Sequence, residues 1–177
     1  ASAIDVTFCQ SLNTVGATYQ VTTDFFHDPA ATFTCFNATA DGVTLDCQGH
    51  VVSTATSAGL DVTYAFNVTG FNNVTVKNCV FQNFTTGVLA NNTINLTLLN
   101  NNVSNKNLDE GGAGFAIRQS NHTVVHNNSM SIGGTASWGL GTGIFFSDNS
   151  NNCTINSSRI DRVGGGGIQL GETTSSL

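Results

Sequence analysis

Apolar and polar positions alternate in four segments of the chain that can be laid over one another. The segments are NVTVKNCVF from Asn73, NLTLLNNNV from Asn95, HTVVHNNSM from His122 and NCTINSSRI from Asn152. Because the side chains of a strand point to opposite faces in turn, the alternation predicts short strands with one buried face. The predicted inward pairs are Val74 and Val76, Leu96 and Leu98, Thr123 and Val125, and Cys153 and Ile155.

The segments form an irregular repeat. A further copy starts at Asp41, with Val43 and Leu45 in the paired positions, and successive copies begin 31, 22, 27 and 30 residues apart. Variable spacing of this kind indicates a solenoid whose loops differ in length. Each copy holds three short strands separated by Asn, Gly or Ser corners. We therefore predict an all-β chain folded as a right-handed parallel β-helix of about five to six coils, stacked about 4.8 Å apart.

The corners and the chain ends refine this prediction. Asn78, Asn100 and Asn127 occupy one corner, where Asn tolerates the left-handed backbone and stacked amides can bond along the axis. We assign residues 1–40 to an amino-terminal, strand-rich cap or first coil, and 41–177 to the remaining coils.

Polar but uncharged residues dominate the composition. Asn, Ser and Thr supply 61 of the 177 residues, whereas only 9% are charged. Five Lys and Arg against eleven Asp and Glu leave no basic face for phosphates, which argues against a nucleic-acid partner. No 18 apolar residues run together, so we predict no membrane span.

Sequons indicate a secreted or cell-surface glycoprotein. The chain opens Ala-Ser-Ala without a methionine, which is consistent with removal of a signal peptide. N-glycans are predicted on eleven Asn-x-Ser/Thr sites: Asn37, Asn67, Asn73, Asn83, Asn91, Asn95, Asn102, Asn121, Asn127, Asn152 and Asn156. Asn73 and Asn95 share a ladder position, so we expect that they are not both fully occupied. Asn37, near the cap, is expected to be free of this limit.

Five cysteines leave at least one unpaired within the chain. Cys9 and Cys35 flank the non-repetitive opening, and we predict a disulfide between them. Cys47 and Cys79 either pair across adjacent coils or remain buried thiols, while Cys153 is expected in the core. No two cysteines are spaced as a zinc knuckle and the four histidines are scattered, so we expect no metal and no cofactor.

The repeats resemble those of the right-handed parallel β-helix repeat family, which shares its fold with pectate lyases. The opening, from CQSL at Cys9 through TCF at Thr34 to VTLDCQGH at Val43, is similar to that of secreted and cell-surface members, many of them archaeal. The resemblance extends over nearly the whole chain. It implies the fold but not the function, because the same coil serves lyases, hydrolases, adhesins and structural tubes.

Catalytic chemistry is sparse along the predicted outer face. That ladder reads Asp46, Lys77, Leu99, His126 and Asn156. Glycoside cleavage needs a pair of carboxyl groups, and this ladder does not supply one. We therefore expect no catalytic residues and no enzymatic activity. His50 and His126 are interpreted as outward ladder members without a partner.

The Gly-rich loops hold the remaining ligand candidates. Asp109 and Glu110, with Asp148 or Asn149, would suit calcium, although a solvated loop tip is the favoured interpretation. Trp138 is either a platform for a sugar ring or a lid over the core.

Size decides between the possible functions. A solenoid about 25 to 30 Å long exposes unpaired backbone and apolar core at each terminal coil. Either the chain is a fragment of a longer solenoid, or its exposed end docks on another copy. We predict an extracellular structural subunit that stacks head to tail, by β-strand augmentation, into a homopolymeric filament or sheath. The predicted assembly residues are Ile4, Val6, Phe8, Ile160, Ile168 and Leu170.

The alternative is a polysaccharide-binding or polysaccharide-cleaving β-helix. Its groove would be lined by the long Gly-rich loops, with Asp109, Arg118 and Trp138 as contacts.

Overall fold

The computed structural model describes residues 3–28, 32–55, 62–105, 112–133, 141–161 and 165–171, and within these ranges it contains strands and no helix. In chain order the strands are β1 (Ile4–Val6), β2 (Gln10–Leu12), β3 (Thr18–Val21), β4 (Phe25–His27), β5 (Phe33–Ala38), β6 (Thr44–Asp46), β7 (Val51–Thr54), β8 (Thr63–Thr69), β9 (Thr75–Lys77), β10 (Val80–Gln82), β11 (Thr86–Asn91), β12 (Thr97–Leu99), β13 (Asn102–Asn105), β14 (Ala113–Arg118), β15 (Val124–His126), β16 (Ser129–Ile132), β17 (Thr142–Ser147), β18 (Thr154–Asn156), β19 (Arg159–Asp161) and β20 (Ile168–Gly171). None of the described segments is a helix that could span a membrane. The predicted all-β fold is confirmed.

The strands form three parallel sheets that the chain visits in turn. Sheet 1 has the order β1-β3-β6-β9-β12-β15-β18, sheet 2 the order β4-β7-β10-β13-β16-β19, and sheet 3 the order β2-β5-β8-β11-β14-β17-β20. Sheets 1 and 3 have seven strands and sheet 2 has six, because the chain passes from β1 directly to β2. All three sheets continue across residue 40. The predicted parallel β-helix is therefore confirmed.

Ladders of equivalent residues on successive coils build the core. In sheet 1 one inward ladder runs Ile4, Tyr19, Leu45, Val76, Leu98, Val125 and Ile155. Leu45, Val76, Leu98 and Val125 are fully buried. Burying a side chain of this size stabilises the fold by about 1.5 to 3 kcal/mol. The inward positions predicted from the alternation are thus core positions, except in the last copy, where Cys153 and Ile155 are half-buried against the core.

Asparagines turn the corner between sheets 1 and 2, as predicted. Asn78, Asn100 and Asn127 all have left-handed backbones, with φ of 55°, 55° and 52°. The Asn100 Nδ2 donates to Asn78 Oδ1 at 3.2 Å, and the Asn127 Nδ2 donates to Asn100 Oδ1 at 2.8 Å. Stacked amides therefore satisfy one another along the axis.

Glycines let the corner between sheets 2 and 3 close tightly. A Cβ on Gly87 would lie 2.6 Å from the carbonyl oxygen of Gly114, and one on Gly114 would lie 2.5 Å from that of Gly143. Only glycine fits this approach between successive coils, which explains why it recurs as the second residue of β11, β14 and β17.

Two disulfides join neighbouring coils. Cys9 bonds to Cys35, the pair predicted from the sequence, and Cys47 bonds to Cys79, resolving the open alternative. Cys153 is free and half-buried in the last coil. Disulfides persist in oxidising compartments, so these two fit an extracellular protein.

Candidate functional site

Exposed apolar side chains cluster at the two ends of the solenoid. The described part of the chain exposes Ile4 (36%), Phe8 (62%), Val15 (75%) and Phe26 (62%) near the amino-terminal end, Ile168 (52%) and Leu170 (80%) at the carboxy-terminal end, and Val62, Ile94 and Val124 elsewhere. Six of these nine residues thus belong to the first turns of the chain or to the last, although Phe26 pairs with the outward Ser53 and therefore lies on the side wall of sheet 2. Clustered exposed apolar surface marks interaction sites, so the two ends form the candidate functional site.

Within the described residues, no strand covers the last coil at the carboxy-terminal end. Ile168 and Leu170 pair with Ile144 and Phe146 of the preceding strand, which are only 0% and 7% exposed. The inward ladders simply stop at β20, so side chains that are core one coil earlier become surface. Ile160, a predicted assembly residue, is half-buried at the end of sheet 2. β18, β19 and β20 are each the last strand of their sheets.

The amino-terminal end is largely closed. Leu12 is fully buried, and the Tyr19 hydroxyl accepts the backbone N–H groups of Asn13 and Thr14, both at 3.0 Å. Val6, predicted as an assembly residue, is 1% exposed and offers a neighbour only its backbone. The assembly role predicted for Val6 would therefore be carried by the backbone of β1, since its side chain belongs to the core.

All eleven sequon asparagines lie in the described residues, and none is buried. The Asn95 Nδ2 donates to Asn73 Oδ1 at 2.9 Å, which confirms that the two share a ladder position. The Asn67 Nδ2 likewise donates to Asn37 Oδ1 at 2.8 Å. The expectation that Asn37 is free of a stacked neighbour is therefore wrong, because Asn67 occupies the next coil directly beside it.

An acidic side chain ties β4 to the next coil. Asp24 Oδ1 lies 2.9 Å from His50 Nδ1 and accepts the N–H of Val51 at 2.9 Å. These contacts, the bond from Val51 first, lower the pKa of Asp24. His50 thus has a partner, contrary to the sequence interpretation, because stacking brings together residues 26 positions apart. The pair is exposed and contributes little to stability.

Asp46 ends the Asn ladder at its amino-terminal side. Its Oδ1 accepts the Asn78 Nδ2 and the Gln48 N–H, both at 3.0 Å, and Lys77 Nζ lies 3.2 Å from Oδ2. Partial burial alone would raise the pKa of Asp46, but these bonds and the lysine charge outweigh it and lower the pKa. This geometry makes Asp46 a structural anchor. The described residues bring no three His, Cys, Asp or Glu side chains together as a metal site.

The loop residues proposed as ligand contacts are only partly described. Arg118 is exposed at the end of β14, and the Ser147 hydroxyl donates to Asp148 Oδ2 at 2.9 Å. Asp109, Glu110 and Trp138 lie outside the described residues.

Sequence reasoning missed a shallow depression on the side wall. It has a volume of about 390 Å³ and is lined by Gln48, Gly49, Asn78, Val80 and Asn100. Its lining is neutral and amide-rich, and stacked amides keep unused donors and acceptors that can meet hydroxyl groups. The recurrence of Asn at one corner is the sequence signal that could have predicted this depression.

Comparison with known proteins places the coil among β-helices. A family model for the right-handed β-helix region matches residues 32–177. The fold is similar to that of a candidate glycosyl hydrolase from Parabacteroides merdae, with a TM-score of 0.64, 8% identity, and coverage of 85% of this chain and 74% of that one. It also matches the catalytic domain of a GH87 α-1,3-glucanase in complex with nigerose, with a TM-score of 0.34, 13% identity, and coverage of 85% and 32%. No curated protein matches the sequence.

Proposed function

Because the chain belongs to the right-handed β-helix family, in which each coil stacks on the one before, we propose that it is an extracellular structural subunit that stacks end to end into a filament or sheath. The observation that carries the proposal is the concentration of exposed apolar side chains at the two ends. A surface of this kind at both ends of a stackable coil favours a second copy as its partner.

Open strand edges support the same proposal. Among the described strands, β18, β19 and β20 come last in their sheets at one end, and β1 and β2 begin sheets 1 and 3 at the other. Unpaired edges are templates for another chain, and natural proteins usually block or cover them. Pairing with a second copy would satisfy the backbone groups at both ends at once.

The sequons leave the amino-terminal end free for contact. All eleven lie between Asn37 and Asn156, so the strands β1 to β4, within residues 3–28, carry none, whereas Asn152 and Asn156 lie in the last coil. Glycans at these sites would dress the side walls. The disulfides fit the oxidising, extracellular setting in which such glycans are found.

Proline at Ile168 tests the stacking. Ile144 donates its N–H to Gly167 O at 2.9 Å, so alternation along the parallel strand turns the N–H of Ile168 to the open edge. Ile168→Pro removes that donor while leaving the bonds to β17 in place. In sedimentation velocity at high concentration, we expect the parent chain to form polymers and Ile168→Pro to remain monomeric.

A charge at the apolar end provides a second variant. Leu170→Asp places a carboxylate on a side chain that is 80% exposed in the single chain but buried in a stack, so it should block polymers without unfolding the subunit. Val124→Asp, on the side wall, is the matched control and should polymerise. A parent chain that stays monodisperse, or an unchanged distribution for both end variants, would overturn the proposal.

The second candidate is a polysaccharide-binding protein, which the amide-lined depression favours. Neutral sugars would meet Gln48, Asn78 and Asn100 through their hydroxyls. Isothermal titration with a panel of neutral oligosaccharides should then give saturable binding that Gln48→Ala weakens at least tenfold. Absence of binding across the panel would remove this candidate.

A further inference from the structure

Both the order and the register of stacking can be derived from the ladders. We infer that the carboxy-terminal end of one copy docks head to tail on the amino-terminal end of the next, with β18 beside β1 and β20 beside β2. This inference rests on the proposed function and specifies its partner surfaces.

Each ladder has its first and last members at opposite ends of the chain. In sheet 1 the outward ladder starts at Asp5 and finishes at Asn156. In sheet 3 the outward ladder starts at Ser11 and finishes at Gln169. Because all pairings are parallel, a simple step along the axis brings Asn156 beside Asp5 and Gln169 beside Ser11 of the next copy.

Apolar ladders continue in the same register. Ile155 of one copy meets Ile4 of the next, and Leu170 lies over Leu12, which starts its ladder. Leu12 is already buried, so Leu170 would gain most of the cover. Inward residues stay inward, as register demands in any sheet with one buried face.

Sheet 2 behaves differently at the junction. Residues 7–9 connect β1 of sheet 1 to β2 of sheet 3, so β4 has no strand before it. In the inferred register β19 therefore meets this connection, which carries the exposed Phe8, and sheet 2 is interrupted once per subunit. Sheets 1 and 3 contribute seven strands each, giving an axial repeat of about 34 Å at about 4.8 Å per strand.

Charge favours head-to-tail order. Residues 1–76 contain six Asp and no Lys or Arg, a net charge of −6, whereas residues 77–177 contain five basic and five acidic residues, a net charge of 0. Two amino-terminal ends facing one another would therefore repel. A head-to-tail junction instead places the acidic end against a neutral one, in which Arg159 of β19 is paired with Asp161 of the same strand.

Engineered disulfides test the register. The chain's own bridges join neighbouring coils with Cα–Cα distances of 4.4 and 4.6 Å, so cysteines one strand apart across a junction should also bond. In a Cys153→Ser background, the matched variants are Asp5→Cys with Asn156→Cys, and Ser11→Cys with Gln169→Cys. The swapped controls, Asp5→Cys with Gln169→Cys and Ser11→Cys with Asn156→Cys, place the cysteines on different sheets. All four positions are exposed in the single chain.

Under mild oxidation, matched variants should give covalent multimers on non-reducing gels at least tenfold more abundant than those of the swapped variants. Fibres in which swapped pairs bridge as well as matched pairs would overturn the register while leaving the stacking intact. Covalent dimers from Asn156→Cys alone would overturn the head-to-tail order. Absence of both fibres and bridges in every variant would instead mean that the proposed function itself fails.

Discussion

The two ends of a single ladder differ sharply in their exposure to solvent. Leu12 and Leu170 start and finish the same inward ladder of sheet 3, yet Leu12 is fully buried and Leu170 is 80% exposed. Their chemistry is identical. The amino-terminal end folds over its own core, whereas the last described strand at the carboxy-terminal end leaves its inward side chains exposed. In a solenoid, exposure is thus a property of the stack more than of the residue.

The coils up to Cys79 and the coils after it, called the first and second halves below, are also held together differently. At the corner between sheets 1 and 2, the Cys47–Cys79 disulfide joins two coils of the first half. The following coils place Asn101 and Asn128 at the equivalent position. The Asn101 Oδ1 accepts the N–H of Cys79 at 3.1 Å, and the Asn128 Oδ1 accepts that of Asn101 at 2.9 Å. A covalent link in the first half is therefore continued by buried amides in the second.

The largest effect is expected where the halves meet. Leu98 faces the core and is fully buried, while Leu99 beside it faces outward. Leu98→Asp leaves a buried, unpaired charge and should cost at least about 3 kcal/mol, enough to disrupt both halves. Leu99→Asp, the matched control, should change the free energy of unfolding by less than about 1 kcal/mol. Chemical denaturation measures both, and equal costs would show that the inward register is wrong.

Removing the second disulfide should make the halves more alike. The Cys47→Ser and Cys79→Ser double variant opens a loop of 32 residues and should lower the free energy of unfolding by about 2 to 4 kcal/mol. Cys153→Ser, in the half without a described disulfide, should cost less than about 1 kcal/mol. Thermal unfolding under non-reducing conditions compares the two. A larger loss of unfolding free energy for Cys153→Ser would contradict the conclusion that the disulfide stabilises the first half.

Acid should weaken the amino-terminal half through Asp46. Its folded-state pKa lies below the ordinary carboxyl value of about 3.9, so its contribution is complete above that value and is lost as the pH falls through the folded pKa. The gap in unfolding free energy between the parent chain and Asp46→Asn, on the order of 1 kcal/mol at pH 7, should therefore close below pH of about 4. Asp5→Asn is the exposed control. A gap that persists at pH 2 would contradict the anchoring role.

The smallest effects concern glycans on stacked amides. Branched sugars on neighbouring coils about 4.8 Å apart would collide. We therefore expect that Asn73 and Asn95 are not both fully glycosylated, and that the same holds for Asn37 and Asn67. Intact glycopeptide mass spectrometry of native material measures each site. Complete occupancy at both members of either pair would refute the crowding argument.

The sequence predicts most of the fold because a period of two, repeated over four segments, fixes which side chains face inward. The sequence did not decide whether Cys47 and Cys79 form a disulfide, because the corner after Cys47 is longer than the one after Cys79. Asp46 and Val51 are five residues apart, whereas their partners Lys77 and Val80 are three apart, and this hides the alignment of Cys47 with Cys79.

Contacts made by stacking were harder to predict. His50 and Asp24 meet only because β4 lies beside β7, and Val6 is buried only because the first turns close over it. Neither fact follows from local pattern. The candidate site at the ends could be proposed from the sequence, but its asymmetry, one closed end and one open end, required the packing.

Electron microscopy of native material tests end-to-end stacking most directly. The account predicts unbranched fibres with an axial repeat of about 34 Å and a strong 4.8 Å spacing along the axis, from seven strands per subunit in two of the three sheets. Discrete particles the size of one solenoid, at protein concentrations high enough for polymers to form, would contradict it.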